Sequence, residues 1–210
     1  MAEDTAGQVW MGTPDGLLLR MEGENLVNET ARVLGQPKPI RSLLATADGA
    51  LWIGLAGPGL VRWKDGRTHR FGPKQGLPDG FVSSLLADRH DCLWVACTRG
   101  LFRVPLAELQ AVAEGRLKAI TAVAQERLEG LRNLQGNYGH WPGALHSRDG
   151  RLWFPMRTGL AEVRPDRVSH RTGPPAAVIE RILVDGTMLP TGAGPALRFP
   201  GNHRSLAVEF

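Results

Sequence analysis

The sequence predicts an all-β fold built from repeated antiparallel sheets. Three observations support this: many turn-forming residues, a tryptophan motif that recurs along the chain, and short apolar segments joined by Asp-Gly. Of the 210 residues, 26 are glycine and 15 are proline, residues that are costly inside helices. Because 42% of the residues are apolar and six are tryptophan, the chain can still form a packed core.

The tryptophan motif occurs four times and defines the repeat. The four tryptophans are Trp10, Trp52, Trp94 and Trp153, at spacings of 42, 42 and 59 residues. In the clearest copy, residues 48–55 read DGALWIGL and residues 59–62 read GLVR. Four short strands in about 40 residues are typical of one β-propeller blade. We therefore predict a partial propeller of about three and a half four-stranded blades.

The second copy predicts its strands in order. They lie at 40–45, 51–54, 60–63 and 68–71. Asp48-Gly49 and Asp65-Gly66 provide the hairpin turns, because glycine accepts a positive φ. A solenoid of two-stranded units is the competing geometry. The alternation of Trp52 with the small Gly54 favours blades, since a large ring can pack between sheets that approach closely.

The other copies depart from this pattern. In the third copy, residues 105–115 predict a short helix between the third and fourth strands, and 117–123 predict the fourth strand. That copy has Ala96 in place of the glycine and His90-Asp91 in place of Asp-Gly. The first copy begins at its second strand. We therefore count three complete blades and three strands of an earlier one, which cannot close a ring alone.

The end of the chain predicts a second β domain. Residues 167–171 predict the last outer strand, and Gly173-Pro174-Pro175 mark a boundary because Pro-Pro interrupts a strand ladder. We assign 1–172 to blades and 173–210 to a linker with the first strands of a second domain. Those strands are predicted at 178–184, 197–199 and 206–210, with Asp185-Gly186 as a turn.

Charge and cysteine content exclude several classes. The 25 Lys and Arg against 21 Asp and Glu are scattered, with no basic stripe for nucleic acid. Cys92 and Cys97 lie five residues apart on one predicted strand, so they point to opposite faces and cannot form a disulfide. No apolar run is long enough to cross a bilayer, and the acidic first residues do not resemble a signal peptide.

The sequence predicts no catalytic, cofactor-binding or metal-binding residue, and no cofactor. None of the six histidines has a metal-site spacing, and phosphate-loop, dinucleotide and Gly-x-Ser-x-Gly motifs are absent. The most site-like cluster is Tyr138, His140 and Trp141, for which aromatic packing in a surface loop is the favoured interpretation. The repeated tryptophans favour core packing over a carbohydrate platform.

Several of these motifs resemble the two-component regulator propeller repeats. The resembling segments are residues 48–54 with 59–62, and 76–78 before 82–86; 150–155 is similar to the final blade of that family. Residues 178–210 resemble the lead into the Ig-like domain known by its three tyrosines. The resemblance implies the periplasmic sensor region of membrane histidine kinases, with two propellers, an Ig-like domain, a membrane helix and a cytoplasmic signalling module.

The first functional hypothesis is a non-enzymatic sensor. A small molecule, with saccharides among the candidates, would bind at the propeller face or between subunits of a homodimer. The membrane would be reached only through a downstream segment, where any kinase activity would also lie. The alternatives are a propeller enzyme similar to antibiotic-inactivating lyases, with His140, His146 and Glu126 as candidates, and a non-functional gene remnant or fragment.

Overall fold

A computed structural model describes residues 1–125, 134–140, 142–168, 181–189 and 204–209. The chain divides into two units, Met1–Val168 and Ser169–Phe210. Glu126, Trp141 and the predicted strand at 197–199 lie outside the described residues. No described helix is long and apolar enough to cross a membrane.

The first unit consists of antiparallel sheets, which we call blades 1 to 4. Blade 1 contains β1 (Ala2–Glu3), β2 (Val9–Gly12), β3 (Leu18–Glu22) and β4 (Asn25–Asn28). Blade 2 contains β5 (Ile40–Ala45), β6 (Leu51–Leu55), β7 (Leu60–Lys64) and β8 (Arg67–Phe71). Blade 3 contains β9 (Val82–Ala87), β10 (Cys92–Cys97), β11 (Gly100–Pro105) and β12 (Val123–Ala124). Blade 4 contains β13 (Leu145–His146), β14 (Leu152–Met156) and β15 (Gly159–Val163).

Short helices lie between blades and within blade 3. Helix α1 (Thr30–Leu34) follows blade 1, and α2 (Leu106–Ala113) lies between β11 and β12 as predicted. Single turns of 3-10 helix lie at Pro73–Gln75 and Pro165–Arg167. The all-β fold, the four-stranded blades and the single helical insertion in blade 3 are therefore confirmed.

Two strand predictions need correction, and a third lies mostly outside the described residues. Blade 1 has a first strand, β1, because Asp4 closes a turn by accepting hydrogen bonds from the N–H groups of Ala6 and Gln8. Residues 117–122 form no strand, since the Ile120 N–H donates to the Gln75 carbonyl at 2.8 Å instead of to β11. The strand predicted at 167–171 begins at the end of a 3-10 helix, and its residues from 169 onward are outside the described chain.

The four tryptophans occupy equivalent positions. Each indole N–H donates to a side-chain oxygen six residues earlier. The acceptors, in chain order, are Asp4 at 2.8 Å, Thr46 at 3.1 Å, Asp88 at 2.7 Å and Ser147 at 3.2 Å. Burial alone would raise the pKa of Asp4, but the hydrogen bonds from Trp10, Gln8 and Ala6 outweigh it and lower that pKa. The indoles are thus structural, as predicted.

Apolar clusters join each blade to the next. Trp10 and Leu18 pack with blade 2, Trp52 and Leu60 with blade 3, and Trp94 with blade 4. Burial of these rings removes a large apolar area from water and holds neighbouring sheets together. Cys92 and Cys97 are buried and free, as predicted, and burial raises the pKa of the Cys97 thiol to about 11.

Complementary side-chain sizes set the distance between blades. A Cβ on Gly12 would lie 2.3 Å from the Ile40 side chain, and one on Gly54 would lie 2.6 Å from that of Val82. At the interface between blades 3 and 4, the glycine lies on the following blade instead of the preceding one. There a Cβ on Gly136, the counterpart of Val82, would lie 3.2 Å from the Cβ of Ala96. Ala96 is therefore tolerated because glycine faces it.

The second unit contains one described sheet of three antiparallel strands. Its central strand is β16 (Arg181–Val184), flanked by β17 (Thr187–Leu189) and β18 (Leu206–Glu209). Asp185 and Gly186 form the predicted turn, with φ angles of 48° and 80°. The assignment of this unit to an Ig-like domain stays a prediction.

Candidate functional site

A five-residue insertion distinguishes the first strand of blade 4. In blade 2, Ile40 pairs with Leu55 and Leu44 pairs with Trp52, an interval of four residues. In blade 4 the equivalent partners, Gly136 and Leu145, are nine residues apart. The additional residues form a loop at 137–144, which we call the insertion loop; Trp141 within it is outside the described residues.

Backbone hydrogen bonds hold the start of the insertion loop in place. The N–H of Asn137 donates to the Pro155 carbonyl at 2.8 Å, and the N–H of Gly136 donates to the Cys97 carbonyl at 2.9 Å. The loop then continues toward blade 3, where a Cβ on Gly143 would lie 3.6 Å from the Cβ of Ser84. The loop therefore passes across the first strand of another blade.

A cavity of about 200 Å³ lies between the insertion loop and the first strands of blades 2 and 3. Its wall includes Arg41, Leu43, Leu86, His140 and Pro142. Aliphatic side chains with a few polar groups are the usual lining of small-molecule sites. The cavity is therefore our candidate ligand site.

Arg41 lies on a β-bulge at the edge of this cavity. The pairing of β5 with β6 shifts between Ile40 and Ser42, so Arg41 is an additional residue that bulges from the strand. Its guanidinium carbon lies 3.5 Å from the centre of the Tyr138 ring and 5.7 Å from that of Phe81. Within the described residues, no carboxylate pairs with Arg41. Cation–π contacts thus orient a guanidinium whose charge no described residue neutralises.

A hydrogen-bonded loop positions Phe81. Asp79 accepts hydrogen bonds from the Phe81 N–H at 3.0 Å and from the Thr98 hydroxyl. The carbonyl of Gly80 accepts the N–H groups of Gly57 and Gly59 at 3.0 and 2.9 Å. Both rings beside Arg41 remain accessible, since Phe81 is 46% exposed and Tyr138 is 50% exposed. The surface around the guanidinium can therefore contact a ligand.

The structure places the described candidate site residues from the sequence analysis in different parts of the chain's surface. Tyr138 stacks on Arg41, and His140 lines the cavity. His146 lies in β13, exposed and away from the cavity wall. Glu126 lies outside the described residues. In the part of the chain that is described, no group of three or more His, Cys, Asp or Glu side chains could hold a metal ion.

Sequence reasoning missed Arg41 and Phe81 as site residues. Arg41 and Tyr138 are far apart in the chain, and both Arg41 and Phe81 occur in segments that read as an ordinary strand and linker. A usable signal was the longer interval between the third and fourth copies. Aligning Gly136 with Ile40 would have revealed the insertion that carries Tyr138 to Arg41.

Comparisons with known proteins agree with the blade architecture. Residues 76–99 match the two component regulator propeller model. The fold is similar to the extracellular domain of BT3049 from B. thetaiotaomicron, described as a hybrid two component system, with TM-score 0.62 and 17% identity over 98% of this chain. The extracellular domain of BT4673 from the same organism, described as a one component system, gives TM-score 0.57 and 19% identity over 80% of this chain.

A streptogramin B lyase is also similar, with TM-score 0.52 and 13% identity over 76% of this chain and 48% of the lyase. The chain spans about a quarter of the two B. thetaiotaomicron proteins, 25% and 23% of their respective lengths. No curated protein sequence matches it. At these identities the structural similarities show the fold alone. The matched segment and the equivalent blades establish that this chain is part of a β-propeller and carries a two component regulator propeller repeat.

Proposed function

We propose that this chain is the ligand-sensing part of an extracytoplasmic propeller in a two-component regulatory protein. The cavity beneath the insertion loop carries the proposal, because it joins first-strand residues of blades 2 and 3 to a loop of blade 4. The repeat at residues 76–99 and the similarity to extracellular domains of two component systems support the same role. This region of the full-length protein would be periplasmic, with membrane attachment and signalling output in other segments.

A sensing role also requires that binding changes the protein. A ligand beneath the insertion loop would contact the first strands of several blades and favour the conformation in which they close around it. Such a ligand shifts an equilibrium only as far as its affinities for the two conformations differ. The signal would therefore arise from movement of the insertion loop relative to β5 and β9.

We propose that the chain is not itself catalytic. His140 is the only histidine that lines the described cavity wall, and no carboxylate pairs with it among the described residues. A general base needs a partner that orients it and a substrate proton within reach. The similarity to a streptogramin B lyase concerns the fold. Turnover of a streptogramin by this chain, lost in His140→Ala, would overturn this part of the proposal.

Thermal unfolding in the presence of a saccharide panel tests the sensing role. At least one compound is expected to raise the Tm of the wild-type chain in a concentration-dependent manner, because ligands that bind only the folded state stabilise it. His140→Ala and deletion of residues 138–142 should reduce the shift, whereas the exposed His146→Ala should keep it. Absence of any shift with the whole panel, confirmed by calorimetry, would contradict the proposal.

A further inference from the structure

We propose that the ligand of the cavity carries an anionic group on a ring, and that Arg41 binds this group. The inference rests on the proposed sensing function and adds the chemical class of the ligand. Its basis is the charge balance around Arg41. Most arginines with a described partner meet a carboxylate: Arg20 contacts Glu29 at 3.0 Å, and Arg151 contacts Glu162 at 3.4 Å.

Arg41 differs because aromatic rings replace the carboxylate. The Tyr138 and Phe81 rings contact its guanidinium, as described above, and hold the side chain without neutralising it. A guanidinium has five N–H groups in its plane, and a carboxylate or sulfate can accept two of them in parallel. A bound anion would thus supply the hydrogen-bond acceptors that the described residues do not.

The exposed rings indicate what the anion is attached to. Phe81 and Tyr138 present apolar faces next to the cation, and the cavity wall continues with Leu43 and Leu86. A ring with C–H groups on its faces can pack against these surfaces while its anionic substituent reaches Arg41. A small ring-containing acid fits this combination better than a free inorganic anion.

Calorimetric titration with D-glucuronate and D-glucose tests this inference, since the two sugars differ only at one carbon. Wild-type chain should bind glucuronate at least tenfold more tightly, a difference of about 1.4 kcal/mol. Arg41→Gln should remove the preference, whereas Arg116→Gln, at a residue that does not line the cavity, should retain it. The preference should also weaken with added salt.

The outcomes separate this inference from the sensing proposal. Equal affinity for both sugars, or a preference unchanged in Arg41→Gln, would overturn the role of Arg41 and leave a sensor of neutral ligands. Binding of neither sugar, together with no response to the saccharide panel, would overturn both. Binding of sulfate with the same affinity as glucuronate would refute the need for a ring.

Discussion

Trp94→Ala is expected to lower the free energy of unfolding of the first unit by about 4 kcal/mol, within the range for large buried aromatic residues. The Trp94 side chain is 0% exposed and packs between blades 3 and 4. Its indole also donates to Asp88 at 2.7 Å, and alanine would leave this buried carboxylate without one of its donors. Urea unfolding followed by far-ultraviolet circular dichroism measures the loss.

Trp153→Ala is the matched control for Trp94→Ala. Trp153 has the same repeat position and donates to Ser147 at 3.2 Å, but its ring is only partly buried. We expect a loss of about 1 to 2 kcal/mol, because no described blade covers that face. Trp94→Phe separates the two contributions, since it retains a ring and removes the N–H donor. Equal losses for Trp94→Ala and Trp153→Ala would contradict the interface assignment.

The repeat made much of this architecture predictable. β5 was predicted with its observed bounds, because Asp-Gly turns and apolar residues delimit strands locally. The side chains that accept hydrogen bonds from the indole N–H groups could also have been predicted from the sequence. An aspartate, threonine or serine occurs six residues before every repeated tryptophan, and comparing the copies at that position would have identified the bond.

Contacts between distant segments explain the errors. Residues 117–123 have a pattern compatible with a strand, yet Ile120 is buried against the linker after blade 2, where its carbonyl would lie 2.2 Å from a Cβ on Gly76. The incomplete prediction of the candidate site has the same cause. Tyr138 and His140 were noticed for their residue types, but the stacking of Tyr138 on Arg41 depends on the insertion loop reaching blade 2. Local sequence patterns carry no information about contacts between residues that are far apart in the chain.

The size complementarity between blades predicts the second large loss of stability on mutation. Gly54→Ala is expected to cost about 2 to 3 kcal/mol, because the new methyl would overlap the Val82 side chain, 2.6 Å away, in a closely packed interface. Glycine's φ at this position is not in the left-handed region, so backbone strain does not contribute. The cost should therefore depend on the residue that faces it.

A double-mutant cycle isolates that dependence. Val82→Ala alone should cost about 1 to 2 kcal/mol, since it removes buried methyl groups. In Gly54→Ala with Val82→Ala, the methyl at 54 partly fills the space left at 82, and the combined loss should be smaller than the sum by at least about 1 kcal/mol. The third interface, where Ala96 faces Gly136, is the natural precedent for this exchange. Strict additivity would mean that the two residues do not determine the spacing of blades 2 and 3, and the account of Ala96 would fail with it.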